Sequence, residues 1–375
     1  MRIRAAFEGD PMTALQQLCN LGQSIWLDQI TRDLLDDGTL ARFVRELGIT
    51  GLTSNPTIFD AAIGGGSAYD ADIARLARLG KSGESIFVDL ALADLRRAAD
   101  LFRPVHDATG GVDGWVSLEL SPLLAADTAG SIVAAERIYH EAGRTNLFVK
   151  IPGTPAGVPA IEESIYRGVP VNVTLLFSTE QYLAAAEAYL RGIERRIAAG
   201  RDPRVVSVAS LFVSRWDKAI ETLAPRDLHN RLGLAVARRT YRAYRELLGS
   251  ARWRALADAG ALPQRLLWAS TGTKDPAVPD TLYVEALAAP DTINTMPEKT
   301  LLAAADHARI ARAMDADGGD AGSVLAEFAA AGIDVAALAR RLQEEGAAAF
   351  VKSWNGLLQR IADKGPALAR SARRA

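Results

Sequence analysis

The sequence lacks features that several common classes of protein require. Its single cysteine, Cys19, cannot form an intramolecular disulfide, so we predict a reducing, cytoplasmic compartment. No apolar run approaches the length of a membrane span and the amino terminus has no signal-peptide core, so we expect no membrane partner. The 43 basic and 45 acidic residues nearly cancel, and only the tail at 370–374 is locally basic. This balance predicts no nucleic-acid partner.

Histidine is also scarce, and the four that occur are not spaced as metal ligands. We therefore expect no metal. The triplet Gly64-Gly65-Gly66 is not followed by the Lys-Ser/Thr of a phosphate-binding loop, and it predicts a flexible loop instead. Asp217 and Lys218 have the pattern of solvated charges on a helix.

From Ser24 onward, short apolar segments alternate with longer amphipathic ones, which predicts parallel strands joined by helices. No glycine-rich dinucleotide fingerprint opens the first helix, so a closed (β/α)₈ TIM barrel, an α/β fold, fits better than a doubly wound open sheet. Helices are expected at Asp33–Leu47, Glu84–Phe102 and Ser178–Ala199. The eight predicted strands are Ser24–Asp28, Ile49–Asn55, Gly114–Leu120, Leu147–Pro152, Pro170–Phe177, Arg204–Leu211, Arg265–Thr271 and Asp291–Thr295.

The predicted domain organisation is one catalytic barrel, residues 13–314, followed by a helical extension. That extension, residues 315–375, is expected to pack on the barrel through helices at Leu325–Glu345 and Ala347–Ile361. Residues 1–12 are weakly patterned, and we predict an N-terminal extension there that need not be ordered.

Lys150 lies in the apolar strand Leu147–Pro152, just before a turn. An ammonium group among apolar side chains loses hydration, which favours the neutral and nucleophilic amine. A Schiff-base enzyme requires such an amine. The same position would also suit a lysine whose charged end reaches solvent from a strand end. Polar residues on the other strands are needed to choose between these two interpretations.

Polar residues interrupt nearly every predicted strand near its carboxyl end, where barrel enzymes build their active sites. An unpaired buried polar group costs about 1–3 kcal/mol, so a series of them indicates a catalytic constellation rather than core. Schiff-base chemistry needs one acid/base for imine formation and another for carbon–carbon cleavage, while amides and hydroxyls can bind a polyol. The candidates are Asp28, Asn55, Glu119, Lys150, Asn172, Thr174 and Ser210.

Six segments between about Cys19 and His307 resemble the strand motifs of transaldolase. The resemblance implies a class I, Schiff-base enzyme, and its specificity comes from the ordered set rather than from any single motif. The segments are Trp26-Leu27-Asp28, Thr53-Ser54-Asn55-Pro56-Thr57-Ile58-Phe59, Val116-Ser117-Leu118-Glu119, Phe148-Val149-Lys150-Ile151-Pro152-Gly153-Thr154, Val171-Asn172-Val173-Thr174-Leu175-Leu176-Phe177-Ser178 and Ser210-Leu211-Phe212-Val213-Ser214-Arg215.

The resemblance also implies a role for each candidate. Lys150 would form the Schiff base, Asp28 would be the acid/base for carbon–carbon cleavage, and Glu119 with Thr174 would position a proton-shuttling water. Arg215 would bind phosphate bidentately at the start of a helix. The family's arginine after strand seven is absent, so Lys274 either replaces it as a point charge or is a solvated loop residue. Implied contacts to substrate hydroxyls are Asn55, Asn172 and Ser210.

The reaction implied by the family transfers a dihydroxyacetone unit from sedoheptulose 7-phosphate to glyceraldehyde 3-phosphate. The products are erythrose 4-phosphate and fructose 6-phosphate, in the pentose phosphate pathway, and no cofactor takes part. Alternatives are a shorter class of fructose-6-phosphate aldolase, a sugar-phosphate isomerase without a covalent intermediate, and a non-catalytic sugar-phosphate binding barrel. The expected assembly is a monomer or a homodimer.

Overall fold

The computed structural model describes residues 12–371, with side chains described up to residue 365. Eight parallel strands close into a barrel in chain order, because β8 pairs with β1. This confirms the predicted (β/α)₈ barrel, and each predicted strand overlaps an observed one. The strands are β1 Ser24–Leu27, β2 Gly51–Leu52, β3 Trp115–Glu119, β4 Leu147–Pro152, β5 Val171–Leu176, β6 Ser207–Phe212, β7 Arg265–Ala269 and β8 Thr292–Met296.

Helices surround the barrel, and many begin at a short polar side chain that accepts a hydrogen bond from the first turn, among them Asn55 and Ser178. Their bounds are α1 Ala14–Leu21, α2 Arg32–Asp36, α3 Thr39–Glu46, α4 Pro56–Gly65, α5 Asp70–Arg78, α6 Gly83–Ala108, α7 Thr128–Ala142, α8 Gly157–Arg167, α9 Thr179–Ala198, α10 Ser214–Ile220, α11 Leu232–Leu248, α12 Ala251–Asp258, α13 Leu282–Ala286, α14 Glu298–His307, α15 Ala321–Ala330 and α16 Val335–Ser371.

Two predicted segments in the first part of the chain differ from the structure. The helix expected at Asp33–Leu47 is split into α2 and α3 by Gly38, whose φ of 77° is left-handed and interrupts the helix. The prediction of a flexible loop at Gly64-Gly65-Gly66 is wrong for the first two residues, which form the end of α4. Gly64 lies against the guanidinium of Arg360, so α16 packs on the carboxyl end of α4.

The two predicted C-terminal helices also have different boundaries. α15 ends at Ala330, and Gly332 at φ 80° turns the chain into α16, which then continues through the expected break at residue 346. α15 packs against α11, and α16 packs against α4, α5 and α6. The boundary of the catalytic domain at residue 314 stays a prediction, and the expected N-terminal extension lies outside the described residues except for Met12.

Within residues 12–371, no single helix is long and apolar enough to cross a membrane. The segments Ala321–Ala330 and Val335–Gly365 reach that length and apolarity only as a pair, which is bent by 92°. Phe328 and Leu357, one from each of these helices, are buried against the rest of the protein.

Large aromatic side chains fill the barrel towards the amino ends of its strands. Trp115 stacks on Phe148 with ring centroids 4.2 Å apart, and Trp26 lies 6.2 Å from the same ring. A Cβ atom at Gly51 would lie 2.6 Å from the Trp26 indole and 2.7 Å from the Trp115 carbonyl. Strand β2 therefore needs glycine at this position. Because these side chains fill the interior, the barrel is open only towards the carboxyl ends of its strands.

A buried polar cluster closes the amino end. Asp113 accepts a 2.8 Å hydrogen bond from the Trp26 indole N–H and a second one from the Ser24 hydroxyl. The guanidinium of Arg265 donates to Ser24 and to the Thr292 carbonyl at 2.7 and 2.8 Å. The cluster ties β1, β7 and β8 together through groups that are largely buried.

Replacement of Asp113 by alanine is expected to lower the free energy of unfolding by about 3 kcal/mol, because buried donors lose their acceptor. Chemical denaturation would measure the loss. The matched control is Asp107→Ala, which removes an exposed carboxylate paired with Arg103 and should change stability little. Equal losses in the two variants would contradict a structural role for the cluster.

Candidate active site

A cavity of about 650 Å³ opens at the carboxyl ends of the strands. Three predicted site residues, Glu119, Asn172 and Thr174, are buried within β3 and β5, the two strands on either side of the Lys150 strand. The structure therefore brings the predicted set to one end of the barrel. Six predicted site residues line the cavity, namely Asp28, Asn55, Lys150, Ser210, Arg215 and Lys274.

The amine of Lys150 is buried beside a carboxylate. Its Nζ lies 3.4 Å from Glu119 Oε2, and each of the two side chains is only 6% exposed. The Lys150 Nζ also donates a 3.1 Å hydrogen bond to the Ser54 carbonyl. Glu119 and Lys150 are register partners on neighbouring strands, which sets their side chains next to each other.

Two opposing effects act on the Glu119 carboxyl. Burial raises its pKa, because the charged form loses hydration, and the Lys150 ammonium opposes this rise. The nearby negative charge of Asp28 adds to the rise. A carboxyl in this environment is suited to hold and release a proton beside the amine.

Asp28 directly follows β1 and is half-buried at the cavity wall. Thr53 donates a 2.7 Å hydrogen bond to its Oδ1, and the hydroxyls of Thr53 and Thr295 are 2.8 Å apart. The Asp28 backbone N–H donates to the Met296 carbonyl at 2.7 Å. These contacts hold the carboxylate in place and leave its other oxygen free of side-chain partners within the described residues.

The predicted hydroxyl-binding residues partly satisfy one another. Ser210 donates to Asn172 Oδ1 at 2.7 Å, and Asn172 Nδ2 donates to Ser117 Oγ at 3.1 Å. Asn55 caps α4 because its Oδ1 accepts a 3.1 Å hydrogen bond from the Ile58 N–H. The amide nitrogen of Asn55 is the part of its side chain that remains for a ligand.

Two buried polar atoms near the lysine have no hydrogen-bond partner among the described residues. They are Thr174 Oγ1 and Glu119 Oε2, whose 3.4 Å contact with the Lys150 Nζ is an ion pair without hydrogen-bond geometry, and each has almost no accessible surface. Buried polar atoms are normally paired, so such an exception calls for an explanation such as a bound water or ligand. Their occurrence on β3 and β5, the two neighbours of the lysine strand, is compatible with a water held between them.

Arg215 lies against aromatic rings at the cavity wall. Its guanidinium carbon is 4.8 Å from the Phe212 ring centroid and 5.9 Å from that of Phe350. In the part of the chain that the structure describes, no carboxylate lies within 4 Å of this guanidinium. Arg215 therefore lines the cavity without a protein anion beside it, whereas Lys274 lines the same cavity as an exposed residue.

Several contributors to the site were not predicted from the sequence. The Ser54 carbonyl contacts Lys150, Thr295 contacts Thr53, and Phe350 reaches the cavity from α16. Thr53 and Ser54 belong to the segment Thr53–Phe59 that resembles a transaldolase motif, so the sequence did contain a signal for these two residues. An apolar residue such as Phe350, on a helix about 200 positions from the lysine, carries no local signal of its role.

The prediction of solvated helix charges is wrong for Asp217. It is buried rather than solvated, accepts a 2.7 Å hydrogen bond from the Tyr283 hydroxyl and also accepts from the Gly233 N–H. Burial raises its pKa to about 6. Lys218, the next residue, is exposed as expected, because adjacent positions on a helix point to different faces.

A closed barrel with a buried lysine beside a carboxylate at the carboxyl ends of its strands has the features of a class of protein, the barrel enzymes that use an amine nucleophile. Comparison with known proteins identifies the family within that class. The family model for transaldolase/fructose-6-phosphate aldolase matches residues 25–361. The chain belongs to this family, and the match extends past His307 into the C-terminal helices.

The relatives agree with this assignment. A transaldolase of Thermobifida fusca is 46% identical over 359 residues, which cover 93% of this chain and 98% of that protein. A transaldolase of Arthrobacter is also 46% identical, with 92% and 96% covered, and transaldolase 2 of Nostoc punctiforme is 40% identical, with 93% and 97% covered. The predicted resemblance to transaldolase is confirmed, and with it the assignment to a family of transferases.

Proposed function

We propose that the protein is a transaldolase that transfers a dihydroxyacetone unit through a Schiff base on Lys150. The observation that carries this proposal is the 3.4 Å contact between the buried amine and Glu119, at the wall of a cavity that Asp28 also lines. The proposed donor and acceptor are sedoheptulose 7-phosphate and glyceraldehyde 3-phosphate, the standard pair of the family. The products are erythrose 4-phosphate and fructose 6-phosphate.

Imine formation is assigned to Lys150, Glu119 and Thr174. The neutral amine attacks the ketone carbon of the donor, and the carbinolamine loses its hydroxyl group as water. The departing hydroxyl requires a proton, which Glu119 can supply directly or through a water held with Thr174. The buried Glu119 and Thr174 oxygens lack a hydrogen-bond partner among the described residues, which supports the water-mediated route.

Carbon–carbon cleavage is assigned to Asp28. Its carboxylate removes the proton of the hydroxyl on the carbon that becomes the aldehyde, and the bond between the third and fourth carbons of the donor breaks. The electron pair moves to the protonated imine, leaving an enamine on Lys150. Attack of this enamine on the acceptor aldehyde reverses the steps and completes the transfer.

A borohydride trapping experiment tests the proposal. The protein is incubated with fructose 6-phosphate and reduced, with and without an aldose phosphate acceptor, and its peptides are then mapped by mass spectrometry. A three-carbon adduct on Lys150 that disappears with acceptor is the expected result. An adduct lost equally fast to water indicates an aldolase, and the absence of any adduct favours an isomerase or a binding protein.

Arg215 is the proposed phosphate ligand, and Lys274 is a secondary candidate. Loss of a charged hydrogen-bonding group is typically worth 1.5–3 kcal/mol, so Arg215→Ala should lower kcat/KM by about 10- to 100-fold. Lys274→Ala should have a smaller effect, because an exposed amine is screened by solvent. Steady-state kinetics with fructose 6-phosphate as donor would measure both losses.

An unphosphorylated ketose as donor tests whether Arg215 acts on the phosphate. With this donor, the loss of kcat/KM caused by Arg215→Ala should largely vanish. Arg254→Ala, which removes an exposed positive charge on α12, serves as the control. Equal and negligible losses for Arg215→Ala and Lys274→Ala would contradict the phosphate assignment.

The proposal includes a cytoplasmic location and a place in the pentose phosphate pathway. The family membership and the single unpaired cysteine support these two points. Whether the protein acts as a monomer or a homodimer stays a prediction from the sequence.

A further inference from the structure

The helix α16 reaches the catalytic end of the barrel through one buried glutamine. Gln343 is 8% exposed, and its Nε2 donates hydrogen bonds to the Gly153 carbonyl at 3.0 Å and to the Leu175 carbonyl at 2.9 Å. Gly153 directly follows β4, whereas Leu175 belongs to β5. A single side-chain amide thus bridges the ends of the two strands that carry Lys150 and Thr174.

The backbone at this bridge is strained. Leu175 has φ 57°, a left-handed conformation that costs a non-glycine residue about 1–2 kcal/mol. The register between β5 and β6 shifts between Val173 and Leu176, on either side of this point. Such a conformation persists only where the surroundings over-determine it, and the hydrogen bond from Gln343 to the Leu175 carbonyl is part of those surroundings.

The strained residue lies next to the site. Thr174, which directly precedes Leu175, has a buried hydroxyl without a hydrogen-bond partner among the described residues, and its carbonyl accepts a 2.8 Å hydrogen bond from the Gly153 N–H. A Cβ atom at Gly153 would lie 2.4 Å from Leu176 Cδ2, so the two strand ends are in close contact. Displacement of either carbonyl that Gln343 binds would therefore move Thr174 relative to Lys150.

One turn further along α16, a second position contacts the same region. A Cβ atom at Gly346 would lie 2.9 Å from Leu175 Cδ2 and 3.3 Å from Arg215 Nη1. Residues 343 and 346 share a helix face because they are three positions apart. The absence of a side chain at residue 346 lets the helix approach closely enough for Gln343 to reach both carbonyls.

We propose that Gln343 is a positioning residue for the Schiff-base reaction, which holds the ends of β4 and β5 so that Thr174 keeps its place relative to Lys150. The inference rests on the proposed function, since it assigns Gln343 to the imine-forming step. Gln343 acts through the backbone of two strands. It should therefore influence the rate of imine formation more than the binding of the phosphorylated donor.

The variant Gln343→Met keeps the length of the side chain and removes its N–H donors. We expect kcat and the rate of borohydride-trapped adduct formation to fall about 10- to 100-fold, the usual effect of a small misplacement of reacting groups. KM for fructose 6-phosphate should stay within about twofold, since Arg215 keeps its donors. Circular dichroism at the assay temperature confirms that the variant is folded.

The matched control is Gln359→Met on the same helix. Gln359 is exposed, and its amide bonds Asp363 at 2.9 Å on the surface of α16. The control should keep the wild-type kcat and trapping rate. A fall of similar size in both variants would attribute the effect to the helix as a whole and overturn the proposal.

The variant Gln343→Glu gives a second readout that a purely structural role would not produce. Its carboxylate faces two carbonyl oxygens and repels them, whereas the protonated form can donate one hydrogen bond. The ratio of variant to wild-type kcat should therefore rise as the pH falls. Taking this ratio cancels the titration of groups common to both proteins, including Glu119, Asp28, Lys150 and Arg215 around the cavity.

The outcomes separate the inference from the proposed function. Absence of an adduct in the wild-type protein contradicts the Schiff-base function itself. A normal wild-type adduct, together with a wild-type trapping rate in Gln343→Met, overturns the positioning role, and so does a loss confined to KM. If Gln343→Met does not fold, a pH-independent ratio for Gln343→Glu overturns the inference and a rising ratio at low pH supports it.

Discussion

Replacement of Lys150 by alanine is expected to lower kcat by at least about 10³-fold, because the variant loses the nucleophile on which both half-reactions depend. No borohydride adduct should form with fructose 6-phosphate. Peptide mapping of the reduced wild-type protein should place the adduct on Lys150. Lys218→Ala, which removes an exposed lysine on α10, should leave both measurements unchanged.

The same substitution has a consequence for stability, because Glu119 stays buried without its ammonium partner. Burial raises the pKa of Glu119, and loss of Lys150 removes the main effect that opposes the rise. A carboxyl with a raised pKa in the folded state binds a proton more tightly there, so its contribution to stability is lost as the pH increases. Relative to wild type, Lys150→Ala should become less stable as the pH rises above the ordinary glutamate value of 4.5.

Denaturant titrations at several pH values would measure this slope. A variant that retains turnover or a borohydride adduct would exclude Lys150 as the Schiff-base lysine. A variant whose stability relative to wild type does not depend on pH would instead contradict the electrostatic pairing of Lys150 with Glu119.

Replacement of Asp28 by asparagine is expected to separate the two chemical steps. Imine formation is assigned to Glu119 and Thr174, so the donor should still attach to Lys150. Cleavage needs the Asp28 carboxylate as base, and its loss should lower kcat by about 10²- to 10⁴-fold. Reduction of the variant with fructose 6-phosphate should therefore yield a six-carbon adduct in place of the three-carbon adduct.

Asparagine keeps an oxygen that can accept the hydrogen bond from Thr53, so the local structure should persist. Asp36→Asn, which neutralises an exposed carboxylate paired with Arg97, is the matched control and should behave as wild type. A three-carbon adduct formed at the wild-type rate would show that Asp28 is not the cleavage base. Complete absence of an adduct would move Asp28 to the imine-forming step.

The barrel and most of the candidate site follow from local patterns. The strands are short apolar runs between turn residues, and nearly every one has a polar residue near its carboxyl end, as at Thr174 in β5 and Ser210 in β6. Closed barrels place these ends together, so their convergence was predictable without any contact information. The helix break expected at residue 346 was wrong because glycine propensity yielded to packing against Leu175 and Arg215.

Contacts between distant segments were beyond the reach of local patterns. Burial of Asp217 depends on Tyr283 and Gly233, which lie on other helices. Gln343 finds its two carbonyl partners 190 and 168 residues earlier in the chain. Neither residue has a neighbour in sequence that signals its partner, since the docking of α10 and α16 sets both contacts.

The sequence by itself determined the order of strands and helices, the lysine among apolar residues and the polar residues near the carboxyl ends of nearly all strands. Hydrophobic periodicity and turn residues act over a few positions, which is why these features can be predicted from it. Only the tertiary structure decided that Glu119 pairs with Lys150, that Thr53 holds Asp28, and that α16 returns to the catalytic end. These contacts form when the barrel closes and the helices dock. Both events bury apolar surfaces of segments that are far apart in the sequence, so local patterns do not reveal them.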